Sequence, residues 1–260
     1  RMPQSLRPGF IALHSNRSEN LVEAIAQWLA ANPLGPLEEE VILVQSNAMA
    51  EWLKMELAGR GGVCAATRVE LPARFLWRTY RQVLGRDAVP ADSPLDKIPM
   101  TWRIMKLLPD LLGLPEFAPV RGFLRADEPD RTLQLAARLA DQFDQYQIYR
   151  ARWLGEWAAG RDVLIRADGT PVPVPTDQCW QPVLWRALLD SLEPGYREVI
   201  RPQLEDRFLA RLERDDPLPD AVARRVTVFG VSQFPLSSLR AIAALSRHRQ
   251  VLVAVFNPCQ

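Results

Sequence analysis

The sequence predicts an α/β protein in which a parallel sheet covered by helices is interrupted by a largely helical insertion. Three observations carry this. Short apolar runs, Phe10-Ile11-Ala12-Leu13 and Val41-Ile42-Leu43-Val44, each lead into a turn and then a stretch of helical periodicity. From about Ala88 to about Pro219 that alternation gives way to helical spacing alone. Near residue 222 the strand–helix–strand texture returns.

The elements follow in order. Residues 10–13 read as a buried strand, and residues 19–31 as a helix with Leu21, Ala24, Ile25, Trp28 and Leu29 on one face and Ser18 as its N-cap. Residues 41–44 form the next strand, and Asn47 caps a helix bearing Met49, Trp52, Leu53 and Leu57. A third helix, 73–84, is entered through Leu71-Pro72. The Pro-rich link Val89-Pro90-Ala91-Asp92-Ser93-Pro94 opens the insertion, where Trp102, Met105 and Leu108, then Leu133, Ala136, Ala137, Ala140 and Phe143, recur at helical spacing. Residues 160–178, with Pro171, Pro173 and Pro175, read as a long loop or small hairpin. Arg225 to Gly230 is a strand, Phe234 to Arg247 a helix, and Val251 to Phe256 a final buried strand. The expected domains are 1–93 with 222–260, and 94–221. A buried parallel strand normally feeds another element, so the sequence reads as the N-terminal piece of something longer.

Composition sets limits. Thirty-two Lys+Arg against 31 Asp+Glu leave no global basic field, although a single-strand channel needs only a local charged track and stacking surfaces. Cys64, Cys179 and Cys259 are too scattered for a disulfide framework or a zinc spacing, and His14 and His248 are isolated, so no metal site is expected. Without a signal peptide or a membrane-length apolar stretch, the chain reads as cytoplasmic.

The chemistry that is missing is informative. A phosphate loop needs close glycines, a lysine and a Ser/Thr for magnesium. Residues 13–21, Leu-His-Ser-Asn-Arg-Ser-Glu-Asn-Leu, hold neither glycine nor lysine. The strand Val226–Phe229 ends in Gly230-Val231-Ser232, without the carboxylate that would hold the metal. No catalytic residue and no cofactor is expected. Asp141 and Asp144, an i,i+3 pair, have no His, Glu or Lys nearby in sequence to complete a nuclease site, and a solvated helix face accounts for them equally.

Five segments in sequence order resemble one family. They are His14-Ser15-Asn16-Arg17, Val44-Gln45-Ser46-Asn47-Ala48-Met49-Ala50-Glu51-Trp52-Leu53, Leu71-Pro72-Ala73-Arg74-Phe75-Leu76-Trp77, Phe143-Asp144-Gln145-Tyr146-Gln147-Ile148-Tyr149-Arg150 and Phe256-Asn257-Pro258-Cys259. Together they resemble the N-terminal region of the gamma subunit of exodeoxyribonuclease V, the RecC family. The resemblance implies a P-loop-helicase-like fold of superfamily 1 type that has lost its ATPase motifs. It implies a non-catalytic subunit partnered by a beta helicase-nuclease subunit and an alpha helicase subunit. Such a subunit splits duplex DNA at the junction, threads single strands and scans them for the hotspot sequence Chi.

The resemblance also points to DNA-contacting residues. Gln45, Ser46 and Asn47 open a helix whose N-terminus suits phosphate, although Asn47 equally reads as a simple cap. Glu51 departs from the glutamine of better-known members, and Asn47-Ala48 from their Thr-Gly. Leu71 and Trp77 form the next wall, with Trp77 either stacking on a base or packing beside Phe75, Leu76 and Tyr80. Asp141, Gln142, Asp144 and Gln145 suit base reading, where a carboxylate accepts from an amino group, and Arg150 and Arg201 complete the set. A structural adaptor that docks partner subunits, or an active enzyme with an unusual phosphate loop, are the other readings.

Overall fold

The computed structural model describes residues 6–61, 66–124, 129–230 and 234–257. They divide into two compact units, residues 1–89 with 207–260, and residues 90–206.

The first unit is built on strands β1 (Gly9–Ser15), β2 (Glu40–Leu43), β3 (Thr67–Glu70), β6 (Arg225–Phe229) and β7 (Gln250–Phe256). They form one sheet in the order β1-β7-β6-β2-β3, parallel at every pairing. Helices α1 (Ser18–Ala31), α2 (Asn47–Gly61), α3 (Pro72–Leu84) and α10 (Leu236–Leu245) connect them. The steps β1→β2 and β2→β3 run one way along the sheet and β6→β7 runs back. Right-handed crossovers therefore put α1 and α2 on one face and α10 on the other. Leu21, Val22 and Ile25 of α1 and Leu53 and Leu57 of α2 bury against Ile42, Val44, Phe229 and Ala254. Every residue of β6, the central strand, is buried.

One strand escaped the sequence reading. Thr67-Arg68-Val69-Glu70 looks half charged, yet it pairs with β2 as the sheet's edge. Glu70 is buried there because Arg78 of α3 donates two hydrogen bonds to its carboxylate. Two expected caps also differ. Arg17, not Ser18, is the N-cap of α1 and makes no side-chain cap. At α2 it is the Ser46 hydroxyl that accepts the Met49 N–H (3.2 Å), one residue before the expected Asn47.

The second unit holds α4 (Lys97–Leu111), α5 (Ala118–Arg121), α6 (Pro129–Tyr149), α7 (Ala151–Ala158) and α8 (Trp180–Asp190), with a small hairpin of β4 (Val163–Ile165) and β5 (Pro171–Pro173). Helix α9 (Arg201–Leu212) begins in it, and beyond the boundary Phe208 packs its ring on Tyr80 within the first unit (centroids 4.9 Å apart). The second core is aromatic. Phe143 stacks on Trp185 at 5.7 Å and 9°, and Tyr146, Trp153 and Trp157 crowd edge to face. Indole N–H groups of Trp153 and Trp157 donate to the Ile165 and Val163 carbonyls (each 2.9 Å), tying α7 to the hairpin. Trp102 and Leu133, which belong to the runs of helical spacing, are 60% and 40% exposed. Met105 and Ala136 take the inward positions beside them.

Candidate nucleic-acid interface

In an open parallel sheet, ligands bind beyond the carboxyl ends of the strands. Here Ser15, Leu43, Glu70 and Phe229 end on that edge. Only Asn16 and Arg17 separate β1 from α1, and the Ser15 hydroxyl accepts the Arg17 N–H (3.2 Å). A two-residue turn without glycine cannot wrap a phosphate chain with successive N–H groups. Across the edge, β6 is followed by Gly230, whose φ of +64° lies in the left-handed region. A Cβ there would meet the Met49 sulfur at 3.2 Å, so α2 closes over this strand end. Val231 and Ser232 lie outside the described residues.

The next turn is open instead. Gln45, Ser46, Asn47 and Ala48 are exposed where β2 passes into α2. Because Ser46 provides the cap, Asn47 sits in the first helical turn with its side chain exposed. The 15-residue helix α2 has no acidic residue in its first turn, so its positive dipole end is not neutralised locally. Glu51, one turn on, is 71% exposed at its side chain and paired to Lys54 (2.9 Å), which offsets its repulsion for a polyanion. Replacing Ser46 with alanine is expected to destabilise the first unit by about 1 kcal/mol, as cap losses do. Urea unfolding checks this, and an unchanged midpoint would deny the cap.

Leu71 is the N-cap of α3, with Pro72 fixing the first turn. Phe75, Leu76, Thr79 and Tyr80 face the core, while Leu71 and Trp77 are half-buried on the helix flank. Trp77 is thus set apart from the buried residues beside it. The Glu70–Arg78 pair, invisible as a site in the sequence, fixes the β3–α3 turn that presents Leu71. A cavity of about 260 Å³ lies at the other end of this unit, lined by Glu38, Val41, Gln82, Val222 and Arg224 near the amino ends of β2 and β6. Its Glu38 is already paired to Arg224 (3.0 Å), and the Gly35 N–H and that arginine hold the Glu38 carboxyl below the usual range. Phe75 and Arg78 of α3 also line it, and Arg78 is the partner of Glu70.

In the second unit, Asp141 and Gln145 are exposed on α6, and Asp144 is half-buried at the margin of that face. Burial pushes the Asp144 carboxyl up, and the nearby Arg201 only partly offsets it. A solvated face does not describe this residue. Gln142 is drawn inward: its amide donates to the Tyr146 hydroxyl (2.6 Å), which donates to Gln181 (3.0 Å). Arg150 is exposed with its guanidinium 5.2 Å from the Trp153 ring centroid. Arg201 donates to Asp96 (3.1 Å), and Lys97 to Asp141 (2.6 Å). Asp96 and Lys97 escaped the sequence reading because their partners lie 105 and 44 residues away.

The described residues hold no group of three His, Cys, Asp or Glu side chains placed for a metal ion, and none of their helices is long and apolar enough to cross a membrane. The class is therefore a mixed α/β protein, with a parallel sheet that has no phosphate loop at its first turn and a separate helical unit.

Residues 10–260 match the family described as RecC, N-terminal domain. The chain belongs to the RecC family. It is 36% identical over 251 residues to the RecBCD enzyme subunit RecC of Escherichia coli K12, covering 95% of this chain and 21% of that protein. It is 33% identical over 267 residues to the RecBCD enzyme subunit RecC of Haemophilus influenzae, covering 96% and 24%. The subunit of the same name from Mycolicibacterium smegmatis is 26% identical over 260 residues, again across 95% of this chain and 21% of that protein. The chain thus spans about a fifth to a quarter of the length of these relatives.

Proposed function

We propose that the chain is part of a non-catalytic DNA-handling subunit of a recombination helicase-nuclease. In this reading the first unit is a helicase-like domain that has lost ATP hydrolysis and kept its single-strand edge. The observation that carries it is the contrast between two turns of one sheet. The β1–α1 turn is too short to hold a nucleotide, while the β2–α2 turn exposes Gln45, Ser46 and Asn47 at an unneutralised helix N-terminus. The subunit works in the cytoplasm with an alpha helicase subunit and a beta helicase-nuclease subunit; a place in a larger assembly is supported by relatives named as subunits of a RecBCD enzyme. It helps split the duplex, guides single-stranded DNA and scans it for a Chi-type sequence. Trp77 stacks on a base, and the α6 acids accept from base amino groups.

The test uses the full-length protein assembled with its helicase and nuclease partners. Trp77→Ala and Asp144→Ala are expected to leave unwinding intact and to abolish the switch in degradation at a Chi-bearing site. Unchanged switching would remove both residues from sequence reading. A second reading, a docking scaffold, is favoured by Ile98 and Trp102, which stand one turn apart on α4 and are 73% and 60% exposed. That reading predicts unchanged switching together with loss of assembly on Trp102→Ala.

A further inference from the structure

Glu70 breaks the pattern of its element. It is the last residue of β3, an edge strand, yet its side chain is only 6% exposed. A buried carboxylate is costly unless it is paired, and one at the end of an edge strand could have stayed in water. Positions where a local rule is broken without local gain are where function is expected.

The burial creates a junction. The Glu70 carbonyl accepts the Val44 N–H (3.1 Å), at the point where β2 gives way to Gln45, Ser46 and Asn47. The Glu70 carboxylate accepts two hydrogen bonds from Arg78 of α3, one of them at 2.9 Å. Leu71 directly follows Glu70 and Trp77 directly precedes Arg78, so the ion pair brackets both. One residue thus holds two turns of the carboxyl edge. Its backbone fixes the turn that carries Gln45, Ser46 and Asn47, and its side chain fixes the one that carries Leu71 and Trp77.

Packing alone does not place Arg78. Its guanidinium carbon lies 5.7 Å from the Phe75 ring centroid, but its side chain is 28% exposed and the residue lines the cavity beside Val41 and Gln82. Two parallel hydrogen bonds to one carboxylate set the plane of a guanidinium as well as its position, which a single contact does not.

We propose that Glu70, acting through Arg78, is a positioning residue for sequence reading. It sets the distance and angle between the Gln45–Asn47 turn and the Leu71–Trp77 wall without touching the strand. A recognition surface built from two elements discriminates only as well as their mutual geometry is held, to about 0.5 Å in a working site. This rests on the single-strand reading above.

The test uses the full-length protein assembled with its helicase and nuclease partners. The substrates are a duplex carrying the sequence at which wild type switches and duplexes with single-base changes in it. Discrimination is the ratio of switching on the two. Glu70→Gln keeps the size of the side chain and removes its charge. It is expected to lower discrimination several-fold while the unwinding rate stays at the wild-type value. Arg78→Lys keeps the charge, gives up the paired geometry and is expected to do the same. The double variant is expected to be no worse than either single one, because both act through one pair. All are measured well below their thermal unfolding midpoints, so that lost stability does not enter. A merely structural pair lowers that midpoint and leaves discrimination unchanged, and this result would overturn the proposal. So would losses that add in the double variant. Should Glu70→Gln fail to assemble, Arg78→Lys carries the test. Trp77→Ala separates the two levels. If it too leaves switching unchanged, the single-strand reading fails; if it abolishes switching while the pair variants do not lower discrimination, only the positioning role falls.

Discussion

Replacing Arg225 with methionine is expected to destabilise the first unit by about 3–5 kcal/mol, the usual cost of leaving one member of a buried ion pair alone. Arg225 is fully buried at the amino end of the central strand. Its guanidinium donates to both Glu40 oxygens, to the Asn32 carbonyl (2.7 Å) and, at 3.5 Å, to Gln250. One side chain thereby joins β6, β2, β7 and the end of α1. Burial pushes the Glu40 carboxyl up, and the Arg225 hydrogen bonds only partly pull it back. Without the arginine this carboxylate is buried uncompensated at neutral pH. The cost has a definite pH sign. A carboxyl raised in the folded state loses stability as pH rises through its folded value, so the variant's deficit is largest at neutral pH. It shrinks as the pH falls and Glu40 takes up a proton. Urea unfolding at neutral and acidic pH checks both parts. Adding Glu40→Met to Arg225→Met is expected to recover most of the loss, because two apolar groups leave no charge unpaired. Recovery failing in the double variant would show that packing, not charge, sets the cost.

Phe143→Ala is expected to cost a similar amount, about 3–5 kcal/mol, in the second unit. The ring is fully buried, stacked on Trp185 and edge-on to Tyr146 at 5.7 Å and 78°. Its loss leaves a cavity and removes aromatic contacts worth about 0.5–1.5 kcal/mol each beyond area burial. Phe143→Leu fills most of the space and is expected to cost well under half as much. The pair of variants also bears on the site. Phe143 locks the rotation of α6 that sends Asp141 and Gln145 outward, so a loosened α6 blurs the exposed acidic face. A Phe143→Ala protein with an unchanged unfolding midpoint would mean that this ring does not organise the core.

The placement of much of the candidate site was legible because it is encoded locally. Gln45-Ser46-Asn47 and Leu71-Pro72 lie at strand–helix turns, and turn residues follow an apolar run directly in sequence. The glycine-free stretch after β1 needed no coordinates to exclude a phosphate loop, since that loop's requirement is for particular residues at short spacing. The cap of α2 was misread by one residue for the same local reason. Ser46 and Asn47 are both good caps, and only the backbone path out of β2 puts the Ser46 hydroxyl within 3.2 Å of the Met49 N–H.

By itself, then, the sequence determined the alternation of strands and helices, the helical interruption, the missing phosphate chemistry and the RecC resemblance. Each is written in periodicity or in residues a few positions apart. Tertiary structure alone decided the strand order β1-β7-β6-β2-β3, the edge strand Thr67–Glu70, the inward turn of Gln142 and the ion pairs Glu40–Arg225, Asp96–Arg201 and Lys97–Asp141. The partners in those three pairs are 185, 105 and 44 residues apart. Whether a charge is paired, and whether a polar residue is buried, depends on what the folded chain brings beside it, and no local pattern holds that information.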